Sequence, residues 1–391
     1  MPLNVWILFV AQALAMCAAP LMVFAGALAS KSMAPSPEWA TVPVASLVVG
    51  TACTVYPAAR LAGIWGRKRL FMAAMILGAV ASLSAMWALQ QASFIGFTIA
   101  TTVVGSVIAV GQQFRFAAME SVERELMPVA ASRILAAGLI SAWLGPELVP
   151  LGHKLIAAPF AGAFVLLAIL YLLTFVVIAF AFKTPQIEAK SSATANVPAA
   201  QIWRRSGFWV AAGSAAVGYG IMSFIMTATP ISMHEMQSFS LEETKWVIQS
   251  HIIAMFLPSL FAGQLVKRLG HVPMIQIGLA VMLACAVLGM LDQSYLHYWW
   301  ALLLLGVAWN FLFVAGTALL PMMHSPEEAP RAQGLNDLMV FSTQALGALS
   351  SGIVLYWLGW NGLLLITLPV TVGLVLFVWS WSTGKRTRLA E

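Results

Sequence analysis

Two pairs of side chains in neighbouring apolar runs have the types and the spacing of a soft metal site. Met222 and Met226 are four residues apart in one run, and His251 and Met255 are four apart in the next. Residues four apart in a helix share a face, so each run presents two donor groups on one side. At about 1.5 Å per residue, Met226 and His251 lie about 10 Å deep, and the other two lie about 16 Å deep. An antiparallel hairpin would bring the two pairs together.

Three thioethers and one imidazole are a ligand set that suits Cu(I), because harder ions prefer carboxylate, carbonyl or water oxygens. Thioethers are also uncharged, so an empty site of this type costs little to bury. The alternative is ordinary packing, since methionine fills irregular gaps in apolar interiors and the chain has 20 methionines. If these four residues bind copper, the ion is a transported substrate, and no permanently bound cofactor is predicted.

The elements that must position these residues are membrane helices. Of 391 residues, 61% are hydrophobic and 9% are charged, against about 25% charged residues in soluble domains. Runs of about 20 apolar residues cross a hydrocarbon core of about 30 Å as helices, and these runs lack the alternation of barrel strands. The twelve runs lie near residues 5–29, 39–62, 70–90, 93–118, 133–152, 159–182, 207–233, 244–266, 273–291, 296–320, 332–357 and 360–381.

Lysine and arginine are distributed unevenly between alternate loops. With the amino terminus in the cytoplasm, sixteen lie in inner loops and the tail, and the outer loops hold only Lys31, Lys154 and Lys245. Cytoplasmic loops of membrane proteins carry this excess. We therefore predict a multi-pass protein of the bacterial inner membrane with both termini cytoplasmic. The net charge of +6 reflects this topology, and no nucleic-acid partner is predicted.

A short basic motif occurs twice, after the second and the eighth run. The first copy comprises Gly66, Arg67 and Lys68, and the second comprises Lys267, Arg268 and Gly270. The glycines are 204 positions apart, which predicts a six-helix half at 1–182, a cytoplasmic linker at 183–206 and a second six-helix half at 207–391 with a short cytoplasmic tail. Two such halves are typical of secondary transporters, whose binding site lies near the midplane between them.

Over its whole length the chain resembles the major facilitator superfamily, whose loop between helices two and three ends in glycine and two basic residues. The resemblance implies an all-α integral membrane fold of twelve transmembrane helices in two pseudo-symmetric halves, and a transporter rather than an enzyme. No G-x-x-x-x-G-K-[ST] motif occurs, which excludes an ATP-driven motor within this chain. Gly63 and Lys267 stand where the family usually has an acidic residue, so its carboxylate latch is not expected here.

M-x-x-x-M followed by H-x-x-x-M resembles the CcoA-like copper importers of this superfamily. So do the segments MTATP (226–230), GVAWNFLFVAGT (306–317) and GLNDLMVF (334–341). The residues that this resemblance makes copper ligands are Met222, Met226, His251 and Met255. It implies copper import by alternating access for haem-copper oxidase assembly, within the lipid bilayer and with a periplasmic or cytoplasmic copper chaperone as a partner.

The same group contains riboflavin-type carriers, which leaves a second hypothesis open. It is a proton-coupled carrier of a small organic molecule such as riboflavin or another aromatic metabolite, and the 15 Trp and 21 Phe residues favour it.

Polar side chains inside the predicted helices are further candidates, because charges are costly in a bilayer. Arg115 and Asp337, near the inner ends of helices four and eleven, either pair as an inner gate or each reach interfacial water. Glu147, near the outer end of helix five and at about the depth of His251, is a further gating or proton-coupling candidate. The amides predicted to line the cavity or to bond across helices are Asn310, Gln249 and Asn336.

Overall fold

A computed structural model describes most of the chain, and within that part every regular element is a helix. The described residues are 1–123, 126–156, 158–183, 202–325 and 328–390. Most of the predicted linker, 183–206, lies outside them.

The helices match the predicted runs. In the described part of the chain, ten helical stretches are long and apolar enough to cross a bilayer, and a bent pair makes another. They are α1 Leu3–Lys31, α2 Pro37–Trp65, α3 Arg67–Gln90, α4 Phe94–Met119, α5 Val129–His153, α6 Ala161–Ala181, α7 Ser206–Met236, α8 Leu241–Phe256 with Ser259–Leu269, α9 His271–Leu291, α10 Tyr295–Met323 and the long stretch Arg331–Thr383. The last stretch turns at Gly359 (φ 68°, ψ −177°), so we number its two parts α11 and α12. The predicted twelve-helix all-α membrane fold is confirmed.

Proline interrupts three helices that the apolar pattern predicts as uniform. Proline has no N–H and its ring displaces the carbonyl four residues earlier. Pro20 precedes a π-helical turn in α1, Met22–Gly26, and Pro230 precedes another in α7, Ile231–Met236. Pro258 lies at the 44° bend of α8. The first and seventh helices, which hold corresponding places in the two halves, therefore share a widened turn, which re-aims the side chains that follow it.

The chain forms two compact units. One comprises the described residues of Met1–Ala189 together with Thr229–Phe256, and the other those of Lys190–Ala228 together with Leu257–Glu391. The last turns of α7 and the first part of α8 thus pack with α1–α6, although they belong to the second half of the sequence. The first part of α8 belongs to the first unit because it packs on α5 and α1.

The two motif glycines adopt one unusual conformation. Gly66 has φ 80° and ψ 148°, and Gly270 has φ 91° and ψ 163°, in a region that essentially only glycine occupies. Arg67 donates through Nε and Nη2 to the carboxylate of Glu120 at the end of α4. Each glycine ends one helix and begins the next, so the sequence repeat is also a repeat of backbone geometry. Lys68 is half-buried and Arg268 exposed.

Candidate functional site

A buried polar cluster joins α5 and α8 within the first unit. Lys245 Nζ lies 2.8 Å from Glu147 Oε1 and 2.9 Å from Glu242 Oε1. The side chain of Lys245 is 6% exposed and that of Glu147 is 19% exposed. One turn further along α8, Gln249 Nε2 donates to the backbone oxygen of Trp143 at 2.8 Å and to Glu147 Oε1 at 3.2 Å. Two donors from α8 therefore hold the one carboxylate that α5 provides.

A second ion pair joins α1 and α7 in the same unit, between Lys31 Nζ and Glu235 Oε2. Its side chains are 37% and 30% exposed, so water screens this pair more than the Lys245–Glu147 pair. Both pairs connect a helix of the first sequence half to a helix of the second, near the ends predicted to face outward. Transport by alternating access would require both to separate, and the buried pair is the more costly of the two to break.

Each predicted pair of copper ligands lies on one helix. Met222 and Met226, in α7, are 6% and 2% exposed, and His251 and Met255, in α8, are 0% and 8% exposed. The first pair belongs to the second unit and the other pair to the first. A site built from all four remains a prediction. Among the described residues, no three His, Cys, Asp or Glu side chains cluster as metal ligands would.

The structure places Lys245 differently from the sequence analysis, which counted it as an outer-loop residue. It lies inside α8 and is buried, because Glu147 and Glu242 compensate its charge. The partners recorded for Glu147 are Lys245 and Gln249, whereas its sequence depth suggested His251. The spacing of 242, 245 and 249 on one helix face, opposite a lone carboxylate in α5, was the signal that could have revealed this cluster.

The proposed inner gate remains a prediction. Arg115 is in the first unit and stacks its guanidinium over Phe116, 5.0 Å from the ring centroid. Asp337 is in the second unit and accepts a hydrogen bond from Nδ2 of the buried Asn336 at 3.1 Å.

An aromatic cluster that the sequence analysis did not single out lies in the second unit. Trp309 and Phe313 in α10 stack with centroids 5.3 Å apart and an interplanar angle of 10°. Tyr219 of α7 meets both rings edge-on, at 5.0 Å and 5.2 Å. Met222 follows Tyr219 by one turn, and Asn310, beside Trp309, donates to Ser259 Oγ of α8 at 2.5 Å. The i, i+4 spacing of Trp309 and Phe313 was the available sequence signal.

A bidentate ion pair connects the start of α7 to the loop before α11. Arg205 donates to the two carboxylate oxygens of Glu328 at 2.6 and 2.8 Å. The backbone N–H of Ser325 also donates to Glu328, at 2.8 Å. Arg205 chiefly, and then this N–H, lower the pKa of Glu328 to about 2. Because its ordinary pKa is 4.5, the ionised carboxylate stabilises the fold above pH 4.5, and this contribution disappears as the pH falls toward 2.

We therefore expect Glu328→Gln to reduce the acid sensitivity of the protein. The midpoint temperature of its thermal unfolding should lie below that of the wild type at pH 6. The difference between the two midpoints, the gap, should narrow steadily between pH 4.5 and pH 3. The measurement is thermal unfolding in detergent across this range. Arg205→Gln should also lower the midpoint at pH 6 but keep a smaller part of the pH dependence, because the Ser325 N–H still donates to Glu328. A gap that stays constant with pH would contradict this account.

The comparisons with known proteins agree with this fold. The sequence profile of the Major Facilitator Superfamily matches residues 211–390. The riboflavin transporter RfnT of Brucella anthropi is 32% identical over 376 residues, which cover 95% of this chain and 94% of that protein. The MFS-type transporter YdeG of Bacillus subtilis is 29% identical over 381 residues, covering 93% and 88%. The chain belongs to the major facilitator superfamily and is a membrane transporter.

Solved structures show the same architecture. The nucleoside transporter NupG has a TM-score of 0.77 at 13% identity, with 97% of this chain and 99% of that chain covered. A bacterial homologue of the lysosomal transporter Spinster, in an inward-facing and unoccupied conformation, also has a TM-score of 0.77, at 12% identity and with 100% and 98% covered. At such identities the likeness concerns the fold alone. The superfamily membership rests on the sequence relatives, and these add no support for the narrower resemblance to copper importers.

Proposed function

We propose that this chain carries riboflavin, or a closely related planar heteroaromatic molecule, across the bacterial inner membrane. The observation that carries the proposal is the 32% identity to a riboflavin transporter over 95% of this chain. The proposal replaces copper import as our first hypothesis. The bias of lysine and arginine toward alternate loops supports the inner-membrane topology with cytoplasmic termini.

The aromatic cluster of Tyr219, Trp309 and Phe313 supports this substrate class. Flavins carry a flat, fused aromatic ring, and ring pairs contribute about 0.5–1.5 kcal/mol beyond the area that they bury. Tyr219 and Phe313 are only half-buried, so each ring has surface left for a ligand. Apolar walls with a few polar groups are typical of small-molecule sites, and Asn310 provides an amide next to these rings.

We further propose that transport is coupled to protons through Glu147. Protonation would remove the charge that attracts Lys245, and a neutral carboxyl binds an ammonium group far more weakly than a carboxylate does. The α5–α8 connection would then loosen when Glu147 takes up a proton and re-form when the proton leaves.

We expect this chain to restore growth on low riboflavin to bacteria that can neither make nor import the vitamin. Labelled riboflavin should accumulate in cells with the chain and not in cells without it. Tyr219→Leu and Phe313→Leu should each raise the KM for uptake about tenfold, which corresponds to about 1.4 kcal/mol of lost stacking. Trp300→Leu is the matched control, because this α10 ring is 48% exposed and lies outside the cluster. Uptake equal to that of cells without the chain would refute the proposal.

Copper import remains the second candidate because of the M-x-x-x-M and H-x-x-x-M spacing in α7 and α8. The same cells separate the two hypotheses when labelled copper is supplied in parallel. Met226→Leu keeps the volume and removes the sulfur, so it should leave riboflavin uptake unchanged. Chain-dependent copper accumulation that Met226→Leu abolishes would instead establish copper as the substrate.

A further inference from the structure

A cleft of about 710 Å³ opens on the second unit between α7, α11 and α12. Gly213 and Val217 of α7 form one wall, and Gly373 and Phe377 of α12 form the other. Phe377 is 37% exposed, so the cleft opens on the outside of this unit. The proposed transport site does not use it.

The length of the cleft along α7 matches the hydrocarbon thickness of one leaflet of a bilayer. Its α7 wall runs from Ser206 to Val217, which at about 1.5 Å per residue is a rise of about 16 Å. Half of a hydrocarbon core is about 15 Å. The cleft therefore has the length of an acyl chain that runs from the interface to the midplane.

One end of the cleft is polar and basic. Arg204, Trp203 and Trp209 line it there. Trp209 Nε1 donates to the backbone oxygen of Trp203 at 2.8 Å, and the two rings lie 5.1 Å apart. Tryptophan is enriched at membrane interfaces. Arg204 is exposed, and among the described residues no ion pair is recorded for it.

Each of the two walls of the cleft has open space at one glycine. A Cβ atom added at Gly213 or at Gly373 would meet no protein atom within 4 Å. Larger side chains at these two positions would thus fill the cleft without disturbing the packing of the protein.

We propose that this cleft binds one anionic phospholipid of the inner leaflet. An acyl chain lies between α7 and α12, and the phosphate binds Arg204 at the tryptophan-lined end. Charge complementarity selects the headgroup, because basic pockets on the cytoplasmic side of membrane proteins favour anionic lipids. The positive-inside distribution puts this end of α7 at that side.

The test is retention of added lipid by the purified full-length protein, measured by native mass spectrometry. We expect wild-type protein to retain one phosphatidylglycerol at a concentration several-fold lower than it needs for phosphatidylethanolamine. Gly213→Leu with Gly373→Leu should weaken retention of both lipids at least tenfold. Arg204→Gln should abolish the preference for phosphatidylglycerol while retention of phosphatidylethanolamine stays.

Gly263→Leu is the matched control, because Gly263 also faces open space but lies in α8, away from the cleft. It should retain lipid as the wild type does. Equal retention by the cleft-filling variant and the wild type would overturn the proposal, as would an unchanged headgroup preference in Arg204→Gln. A cleft-filling variant that loses substrate uptake but keeps its lipid would show that the cleft serves the substrate instead.

Discussion

Lys245→Met is expected to reduce transport more than any other single change at the α5–α8 connection. The variant leaves Glu147, 19% exposed, without its ammonium partner. Removing one member of a buried ion pair costs about 3–5 kcal/mol. Because Glu147 is partly exposed, we expect a cost near the lower value of this range. That cost still disfavours the state in which α5 and α8 are connected about a hundredfold. Uptake of labelled riboflavin, normalised to the folded protein in the membrane, should fall at least tenfold.

Glu147→Gln should weaken the α5–α8 connection less than Lys245→Met does, but it should abolish the dependence of uptake on a proton gradient, because glutamine takes up no proton. Lys245 would keep Glu242 at 2.9 Å, and a glutamine oxygen can still accept a hydrogen bond from it. This asymmetry distinguishes a gate from a simple packing contact, where both changes would cost about the same.

Exchanging the two charges supplies the decisive comparison. Lys245→Glu combined with Glu147→Lys should recover part of the activity that either single reversal loses. Recovery should be incomplete, because Glu242 would then lie one turn from a second carboxylate. Lys154→Met is the control, since this exposed lysine of the predicted outer loops has no recorded ion pair among the described residues. Lys245→Met with more than half of the wild-type rate would remove these residues from the mechanism.

Gly50→Ala is expected to prevent correct folding of the first unit. A Cβ atom at Gly50 would lie 2.0 Å from the backbone oxygen of Thr102 in α4. Neither atom can rotate away, because the oxygen belongs to a helix backbone and the Cβ atom is bonded directly to one, so α2 and α4 would have to separate. Their separation would break the hydrogen bond from Thr51 Oγ1 to the backbone oxygen of Gly105, 2.9 Å long. Overpacking of this kind costs about 1–3 kcal/mol or more, and the lost hydrogen bond adds to it.

The matched control for Gly50→Ala lies in the same helix. A Cβ atom at Gly63 would meet no protein atom within 4 Å, so Gly63→Ala should stabilise α2 slightly through its better helix propensity. The fraction of monodisperse protein in detergent and its thermal midpoint should fall for the first variant and hold for the second. Equal behaviour of the two variants would show that the α2–α4 contact is not as close as the structure has it.

The sequence by itself determined the number of membrane helices and the repeated glycine motif. Both are local properties: an apolar run of sufficient length must form a helix in lipid, since no water is present to satisfy its backbone. Gly66 and Gly270 were recognisable because each is a glycine at the junction of two helices, where only glycine tolerates the required φ and ψ. The apolar pattern did not predict the π-helical turns that follow Pro20 and Pro230.

Only the tertiary structure decided which polar and aromatic side chains meet. Helices that are apolar on nearly every side carry little periodic signal of which face turns inward, so spacing could pair Met222 with Met226 but could not choose their neighbours on another helix. Glu147 meets Lys245 because the first part of α8 packs against α5, although the two residues are 98 positions apart in the chain. A lysine that charge counting assigns to a loop is instead buried inside α8, because the fold brings two carboxylates to its ammonium group.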